Sequence, residues 1–377
     1  MLPYRIAIVS RNFGDVGGAE HFAARLAEGV ADDSRYEVHV FASRTYQGHP
    51  AIRFHKLPQP WGPRFAQKPL FAWFAQRELA RQGPFDLIHT HEPLSGAHIV
   101  TYGTPHEFWV RRVRHKRRLG LNDHLIIRTE NKMFHHPNCR RILPMSGMVR
   151  DSLSEYYPEL AEKLRVLEPG IDQNIFQDLD RENSRKELRS LHGVQEEESV
   201  ALFIGNNYEH KGLTPLLEAL GGIEGIAEGR KIKLWVAGRG NIARYRQMAT
   251  DLGLQDRVVF AGLLQTGIER WMLAADFLVL LSSFETFGMV VLESMAAGLP
   301  TLISDQVGAK DLVVPGKNGW IIPHDSPVET IQKALLEAQV TSKQNGMSAH
   351  AKQAASRYTW EESHRKIIGI YEECLGS

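Results

Sequence analysis

The stretch Ser282–Pro300, SSFETFGMVVLESMAAGLP, constrains the fold more than any other part of this 377-residue chain. It follows an apolar run, Phe277–Leu281, of the kind that fills a parallel strand buried on both faces. Small and polar residues come next, then Gly288, then a helical pattern with Val290, Val291, Met295 and Ala296 on one packing side. A second strand begins at about Thr301. Strand, turn, helix and strand make one unit of a doubly wound parallel sheet, where ligands sit in the crevice at the C-terminal strand ends. The helix start offers unpaired N–H groups and a partial positive charge, which suits phosphate. Two glutamates frame it. Glu285 lies in the turn, and Glu293 lies roughly 7–8 Å further along the helix axis, at about 1.5 Å per residue. One carboxylate is placed for the group attached to a phosphate. The other is placed for a ribose diol, since a carboxylate accepts two hydrogen bonds at once.

This Glu-x7-Glu pair has Phe287-Gly288 after its first member and Ala297-Gly298-Leu299-Pro300 after its second. It resembles the signature of the GT4 family of nucleotide-sugar glycosyltransferases, with the lipopolysaccharide-core glucosyltransferases as the nearest branch. The resemblance implies a GT-B fold: two Rossmann-like, doubly wound α/β domains with parallel sheets, facing across a cleft. It also implies a retaining hexosyltransferase with a nucleotide-sugar donor as substrate, no cofactor and no metal. In that reading Glu285 holds hydroxyls of the donor sugar, Glu293 holds the ribose, and the backbone of Phe287, Gly288, Met289 and Val290 faces the diphosphate.

Taken from its start, the chain alternates strands and helices, the pattern of a parallel sheet. Arg5–Ser10 reads as a strand, Arg11–Gly18 as a glycine-bearing loop, and Ala19–Val30 as an amphipathic helix with Phe22, Leu26 and Val30 inward. Gly17 and Gly18 let backbone approach a ligand closely, because no side chain intervenes. The family places a Gly-Gly pair here against the diphosphate and acceptor. The GxGxxG fingerprint of dinucleotide enzymes is missing. Strands follow at Val38–Phe41, Ile52–Leu57, Phe85–His89 and His98–Tyr102, with a helix over Phe65–Gln82. His89, His91 and His106 fall at strand ends, without metal-ligand spacing. By the resemblance, His106, with His91 as a lesser candidate, contacts the transferred sugar, although His106 stands three residues later than the family pattern.

From His106 to Arg141 there are ten Lys or Arg (Arg111, Arg112, Arg114, Lys116, Arg117, Arg118, Arg128, Lys132, Arg140, Arg141) against three acids. Aromatic and aliphatic residues are interleaved. This composition suits an anionic membrane surface, a solvated helix face, or a nucleic acid. The resemblance selects the membrane surface through 106–141, and no nucleic acid. Arg141–Met145 and Leu164–Leu167 read as further strands, with a helix over Ser146–Tyr157 between them.

Glu168-Pro169-Gly170-Ile171-Asp172 breaks regular structure. Here the first domain, residues 1–168 and acceptor-binding by the resemblance, gives way to a nucleotide-sugar-binding domain, 169–358. A terminal helix, 359–377, crosses back to the first domain. In the second domain Ser199–Ile204 is a strand that runs into Gly205–Gly212, GNNYEHKG. Lys211, just before a helix start, is placed to neutralise a diphosphate. Asn206 occupies the place where many family members carry an arginine. Arg239, after the strand Ile232–Ala237, approaches the nucleotide, and Leu264, after Val258–Ala261, lies where the family holds the base through backbone groups.

Net charge is +1, so no global field points to nucleic acid. Two cysteines, Cys139 and Cys374, suit a reducing compartment. No run approaches the ~18 apolar residues of a spanning helix. The sequence thus predicts a cytoplasmic protein, peripheral at the inner face of the plasma membrane. It would move a sugar from a nucleotide-diphosphate donor, a UDP-sugar, to a membrane glycolipid or lipopolysaccharide-core acceptor with retention of configuration. A soluble sugar acceptor, and a non-catalytic nucleotide or nucleic-acid binding protein on the same fold, stay open as alternatives.

Overall fold

The structure is a computed structural model that describes residues 2–14, 17–44, 48–116, 118–223, 232–264, 266–342 and 346–376. The chain divides into two compact units, Met1–Gly170 with Thr359–Ser377, and Ile171–Tyr358.

In the first unit β1 (Tyr4–Val9), α1 (Gly18–Ala31), β2 (Tyr36–Ala42), β3 (Arg53–Lys56), α2 (Arg64–Gln82), β4 (Leu87–Thr90) and β5 (Ile99–Thr101) follow in order. A single turn, α3 (His106–Phe108), continues as a π-helical turn over Trp109–Val113. Then come α4 (Leu121–Phe134), β6 (Arg141–Leu143) and α5 (Gly147–Tyr156). The six parallel strands have the order β3-β2-β1-β4-β5-β6. Winding reverses between β1 and β4, so the loops leaving these two strands part and open a crevice at their C-terminal ends.

The second unit repeats the plan with α6 (Arg181–Leu191), β7 (Ser199–Ile204), α7 (Leu213–Gly222), β8 (Ile232–Ala237), α8 (Ile242–Asp251), β9 (Val258–Gly262), α9 (Ile268–Ala274), β10 (Phe277–Leu280), α10 (Met289–Ala296), β11 (Thr301–Ser304), β12 (Gly319–Ile322), α11 (Val328–Thr341) and α12 (Met347–Ala355). Its parallel order is β12-β11-β10-β7-β8-β9. The reversal falls between β7 and β10, all of whose residues but Ile204 are buried. The loops that carry Lys211 and Glu285 leave these two strands.

The last helix, α13 (Trp360–Leu375), belongs to the first unit. Tyr371 on it shares a hydrogen bond of 2.8 Å with His89 Nδ1, and His89 Nε2 meets Thr101 Oγ1, also at 2.8 Å. His89 is therefore a core residue that ties β4, β5 and α13 together, not a crevice group. Burial pushes its pKa down, so the ring stays neutral.

One expectation changes, and one helix goes unannounced in the sequence. Leu164–Leu167 is not a strand: it makes one isolated bridge to Ile142. Arg165 and Leu167 donate to the carbonyls of Ile142 and Pro144, but Pro144 has no N–H to return, so the ladder stops. The helix α6, RENSRKELRSL, has only two apolar residues and gives little hydrophobic period. Charge anchors it instead. The buried Asp276 carboxylate accepts from Arg185 at 2.7 Å, Arg189 at 3.2 Å and the Val200 N–H at 2.7 Å, which clamps α6 to the start of β7 and β10.

Candidate active site

The site in the second unit is built from the two switch-point loops. Leaving β7, Gly205 and Asn207 donate backbone N–H groups to Ala237 and Arg239, and the Arg239 N–H donates to Asn206 Oδ1 at 3.0 Å. Asn206 thus braces the loop that carries Arg239, and the Arg239 side chain stands exposed. Gly212 opens α7 at φ +81°, and a Cβ there would lie 2.2 Å from the Leu281 carbonyl oxygen. Only glycine permits both the left-handed backbone and this close approach. The approach carries Lys211 to the end of β10, where its ammonium pairs with the Glu285 carboxylate. The Lys211 stem lies across Gly205, whose missing side chain makes the room: a Cβ there would stand 2.9 Å from Lys211 Cγ.

The loop after β10 is held by its backbone. Glu285 N–H donates to the Gln306 carbonyl at 2.9 Å, and Gly308 N–H donates to the Glu285 carbonyl at 3.0 Å. Its carboxylate is thus free to act without being needed for the turn. Phe287 is buried, and its carbonyl accepts from the Ala309 N–H. Gly288, at φ +94°, is the N-cap of α10. The amides of Met289 and Val290 sit in the first helical turn and have no acceptor within the helix. One turn further, the half-buried Glu293 carboxyl has no hydrogen-bond partner among the described residues. Burial, and then the Glu269 carboxylate, push its pKa up to about 7. Leu264 is half-buried at the end of β9, and Gln265 after it lies outside the described residues.

Lys211, Glu285, Gly288, Met289, Val290 and Glu293 are therefore gathered at one switch point, with Asn206 on the Lys211 loop and Arg239 on the adjoining one. Gly17, Gly18, His91 and His106 belong to the first unit. Gly17 is the extended N-cap of α1 and Gly18 its first residue; Asp15 and Val16 before them lie outside the described residues. The His91 ring packs on Phe22, its Nε2 is buried with no partner among the described residues, and burial pushes its pKa down to about 4.

His106 is held from two sides by α4. Its Nε2 meets Asp123 Oδ1 at 2.9 Å, and its backbone N–H donates to Glu130 Oε1 at 3.0 Å. The buried Glu130 also accepts from the Tyr102 and Tyr157 hydroxyls. Burial pushes Glu130 up, whereas the Gly120 N–H and then His106 hold Asp123 down. Sequence reasoning counted these two acids only against the basic residues. The available signal was period: Asp123, Glu130, Met133 and Phe134 form the inward face of α4.

The basic segment is also redistributed. Arg140 bonds the Cys374 carbonyl and Arg141 the Glu373 carboxylate, both on α13. Arg111 and Arg112 pair with Glu107 and Glu155. Arg114 lies 5.1 Å over the Trp109 ring. Lys116, Arg118, Arg128 and Lys132 stay exposed, and Arg117 lies outside the described residues. No helix among the described residues is long and apolar enough to cross a membrane. Among them no group of three or more His, Cys, Asp or Glu is placed to hold a metal ion. Asp180 of the Asp178-Leu179-Asp180 stretch is spent capping α6.

Residues 16–174 match the sequence model of Glycosyltransferase Family 4, and residues 184–354 that of Glycosyl transferases group 1. The crystal structure of WaaG, a glycosyltransferase involved in lipopolysaccharide biosynthesis, superposes with a TM-score of 0.81 at 19 % identity, covering 97 % of this chain and 99 % of that one. The Anabaena protein HepE, in complex with UDP and glucose, superposes with a TM-score of 0.71 at 19 % identity over 97 % of this chain and 99 % of that one. The two doubly wound parallel units are thus those of a GT-B glycosyltransferase. The alpha-monoglucosyldiacylglycerol synthase of Streptococcus pneumoniae is 31 % identical over 332 residues, 76 % of this chain and 72 % of that protein. The D-inositol 3-phosphate glycosyltransferase of Jonesia denitrificans is 26 % identical over 404 residues, 95 % of this chain and 92 % of that protein. The chain belongs to glycosyltransferase family 4.

Proposed function

We propose that this enzyme transfers a hexose from a UDP-sugar to a membrane glycolipid or lipopolysaccharide-core acceptor, with retention of configuration, without a metal ion, at the cytoplasmic face of the membrane. The observation that carries the donor half is the ion pair of Lys211 and Glu285 beside the amide-lined start of α10. As the anomeric C–O bond to the diphosphate breaks and the bond to the acceptor oxygen forms, negative charge grows on the leaving diphosphate. Lys211 and the amides at Gly288, Met289 and Val290 meet that charge with fixed donors, usually a large share of catalysis. Glu285 holds sugar hydroxyls near the reacting carbon. Glu293 takes the ribose diol, the chain around Leu264 takes the base, and Arg239 adds charge near the phosphates. Gly17, Gly18 and His106 are the first unit's candidate ligand-binding residues. The UDP held by HepE supports this choice of base. Calorimetric titration with UDP, GDP and ADP tests it: saturable binding is expected for UDP, and saturation by GDP or ADP alone would reassign the donor.

The acceptor half is supported by the exposed cations Lys116, Arg118, Arg128 and Lys132 and by relatives named for diacylglycerol and lipopolysaccharide products. Each cation near an anionic bilayer contributes about 1 kcal/mol. The enzyme is expected to bind anionic vesicles, less so as salt rises, and Arg118→Glu/Arg128→Glu/Lys132→Glu is expected to abolish that binding. A soluble phosphorylated acceptor is the second reading, favoured by the D-inositol 3-phosphate relative. A wild type that does not bind anionic vesicles would select it, and binding unchanged by the triple variant would remove these three cations from the contact.

A further inference from the structure

Four residues, Tyr102 to Pro105, separate the end of β5 from α3, which His106 opens. Glu130, 1 % exposed, fixes this passage from α4. Its carboxylate accepts the His106 backbone N–H at 3.0 and 3.2 Å, the Tyr157 hydroxyl at 3.2 Å, and the Tyr102 hydroxyl. The Phe134 ring stands edge-on to both tyrosines, 5.1 Å from Tyr102 and 5.3 Å from Tyr157 between centroids. A buried carboxylate holds its donors firmly, because losing one leaves a desolvated charge short of a partner. The backbone of His106 is therefore fixed independently of its ring.

The ring has its own support. His106 Nε2 meets Asp123 Oδ1 at 2.9 Å, while Asp123 Oδ2 accepts the Gly120 N–H at 2.9 Å. Capping α4 uses only Oδ2, so it does not account for the contact to the imidazole. The Trp109 ring stacks on the imidazole with 6.0 Å between centroids. The His106 Nδ1 has no hydrogen-bond partner among the described residues, and 15 % of the side chain stays exposed. The Gly120 N–H, and then His106, hold Asp123 below the ordinary carboxyl value, so it is ionised near neutral pH. An ionised carboxylate has no proton to give, and the proton in the Asp123–His106 hydrogen bond belongs to Nε2. A neutral imidazole protonated there carries a lone pair on Nδ1.

We infer that Asp123 is a positioning residue that fixes His106 as the Nε2–H tautomer, so that Nδ1 accepts a hydrogen bond from a sugar hydroxyl. The inference rests on His106 as a ligand-binding residue, proposed above. It adds the residue that orients the ring and the chemistry of what the ring binds. A hydroxyl has a proton to donate to the Nδ1 lone pair. A fully ionised phosphate offers only acceptor oxygens, which a lone pair repels. His106 therefore reads the sugar part of a ligand and not its phosphates. Asp123 itself touches no ligand in this account: like the outer partner of a metal-bound histidine, it selects which nitrogen is free and holds the plane of the ring.

The test is nitrogen NMR of the full-length protein, labelled in its histidines, at pH 8. The His106 signals are assigned by their loss in His106→Gln. The wild type is expected to show a protonated Nε2 and a bare Nδ1. Asp123→Asn is the informative change. Its amide oxygen still accepts the Gly120 N–H, so α4 stays capped, but its NH2 group now donates to Nε2 and the ring proton moves to Nδ1. The variant should keep the wild-type melting temperature and UDP affinity and show the opposite tautomer, an outcome that a purely structural Asp123 does not produce. Ligands are then added: UDP, inorganic phosphate, UDP-glucose, UDP-galactose, UDP-N-acetylglucosamine, and methyl glucoside or methyl galactoside in the presence of UDP. The wild-type Nδ1 signal should move with a sugar ligand and not with UDP or phosphate. Movement with a sugar nucleotide assigns the hydroxyl to the donor, and movement with a methyl glycoside assigns it to the acceptor. Affinity for that sugar ligand should fall about 10- to 100-fold in Asp123→Asn, which presents a donor where an acceptor is needed. A wild type protonated on Nδ1, or an Asp123→Asn variant that keeps the proton on Nε2, overturns the inference and leaves His106 as a ligand residue. A signal that moves with inorganic phosphate overturns it as well. If none of these ligands moves the signal, the inference fails together with the placing of His106 among the ligand residues.

Discussion

Replacing Glu285 by alanine is expected to lower kcat for sugar transfer about 1,000-fold while leaving the melting temperature nearly unchanged. The size follows from removing a group aimed at the reacting sugar, where a single fixed partner is worth 10²–10³ in rate. The small stability effect follows from the loop itself. Glu285 is anchored by its backbone to Gln306 and Gly308, and among the described residues its carboxylate meets only Lys211. A partly exposed ion pair of this kind contributes about 0–1 kcal/mol. The pairing predicts a further sign. In the free enzyme Glu285 competes with the diphosphate for the Lys211 ammonium, so Glu285→Ala should bind UDP as well as the wild type or a few-fold tighter. Turnover and calorimetry on one preparation separate the two effects. Near-normal turnover removes Glu285 from the site; a large loss of UDP affinity means that Glu285 acts on the nucleotide instead of the sugar.

The second large effect is expected at Glu293, and it has opposite signs for binding and for stability. The carboxyl titrates near pH 7, raised chiefly by burial, against 4.5 for an ordinary glutamate. Below about pH 4.5 it is protonated in folded and unfolded chains alike, and the raised value has no stability consequence. As pH climbs from 4.5 through 7 the folded state comes to carry a desolvated charge that the unfolded chain carries in water, a cost on the order of 3 kcal/mol. Glu293→Gln removes that cost. It should therefore melt several degrees higher than the wild type at pH 8.5 and at nearly the same temperature at pH 4.5. The same change removes the ionised acceptor of the ribose diol. Wild-type affinity for UDP should rise about tenfold from pH 6 to pH 8 as the carboxylate forms, and the variant should bind weakly and without that rise. A variant that is no more stable at pH 8.5 sinks the electrostatic argument, and one that keeps the wild-type pH profile sinks the ribose assignment.

Much of this was legible before any coordinates. The strands β7 and β10 are unbroken apolar runs because both faces of a central parallel strand are covered, and such runs stand out in any sequence. The loops that leave them carry Lys211-Gly212 and the Glu285–Gly288 turn, so the candidate phosphate end of the site could be read along the chain. Helices held by charge were harder. The mostly polar α6 shows its role only through Asp276, some ninety residues away, and nothing local announces that pairing.

The histidines illustrate the same limit. His89, His91 and His106 look equivalent in sequence, each near a strand end. Packing separates them: His89 is a core link to Tyr371, His91 is buried on Phe22, and His106 is gripped by Asp123. The basic segment likewise reads as one patch, yet Arg140 and Arg141 are drawn to α13, a helix more than 200 residues later.

Read alone, the chain was enough for the family, the parallel α/β plan and the place of the candidate donor site, because these depend on runs of apolar residues and on short turns whose partners are neighbours in the chain. Only the tertiary structure decided which charges are spent and which remain. It paired Lys211 with Glu285, left the Glu293 carboxyl half-buried with no hydrogen-bond partner among the described residues, turned Glu130 inward to His106, and left Trp61, Phe65 and Trp73 exposed. Whether a charged or aromatic side chain is used or exposed depends on what the rest of the chain brings within a few ångströms of it. Chain connectivity at long range sets that distance; local sequence does not.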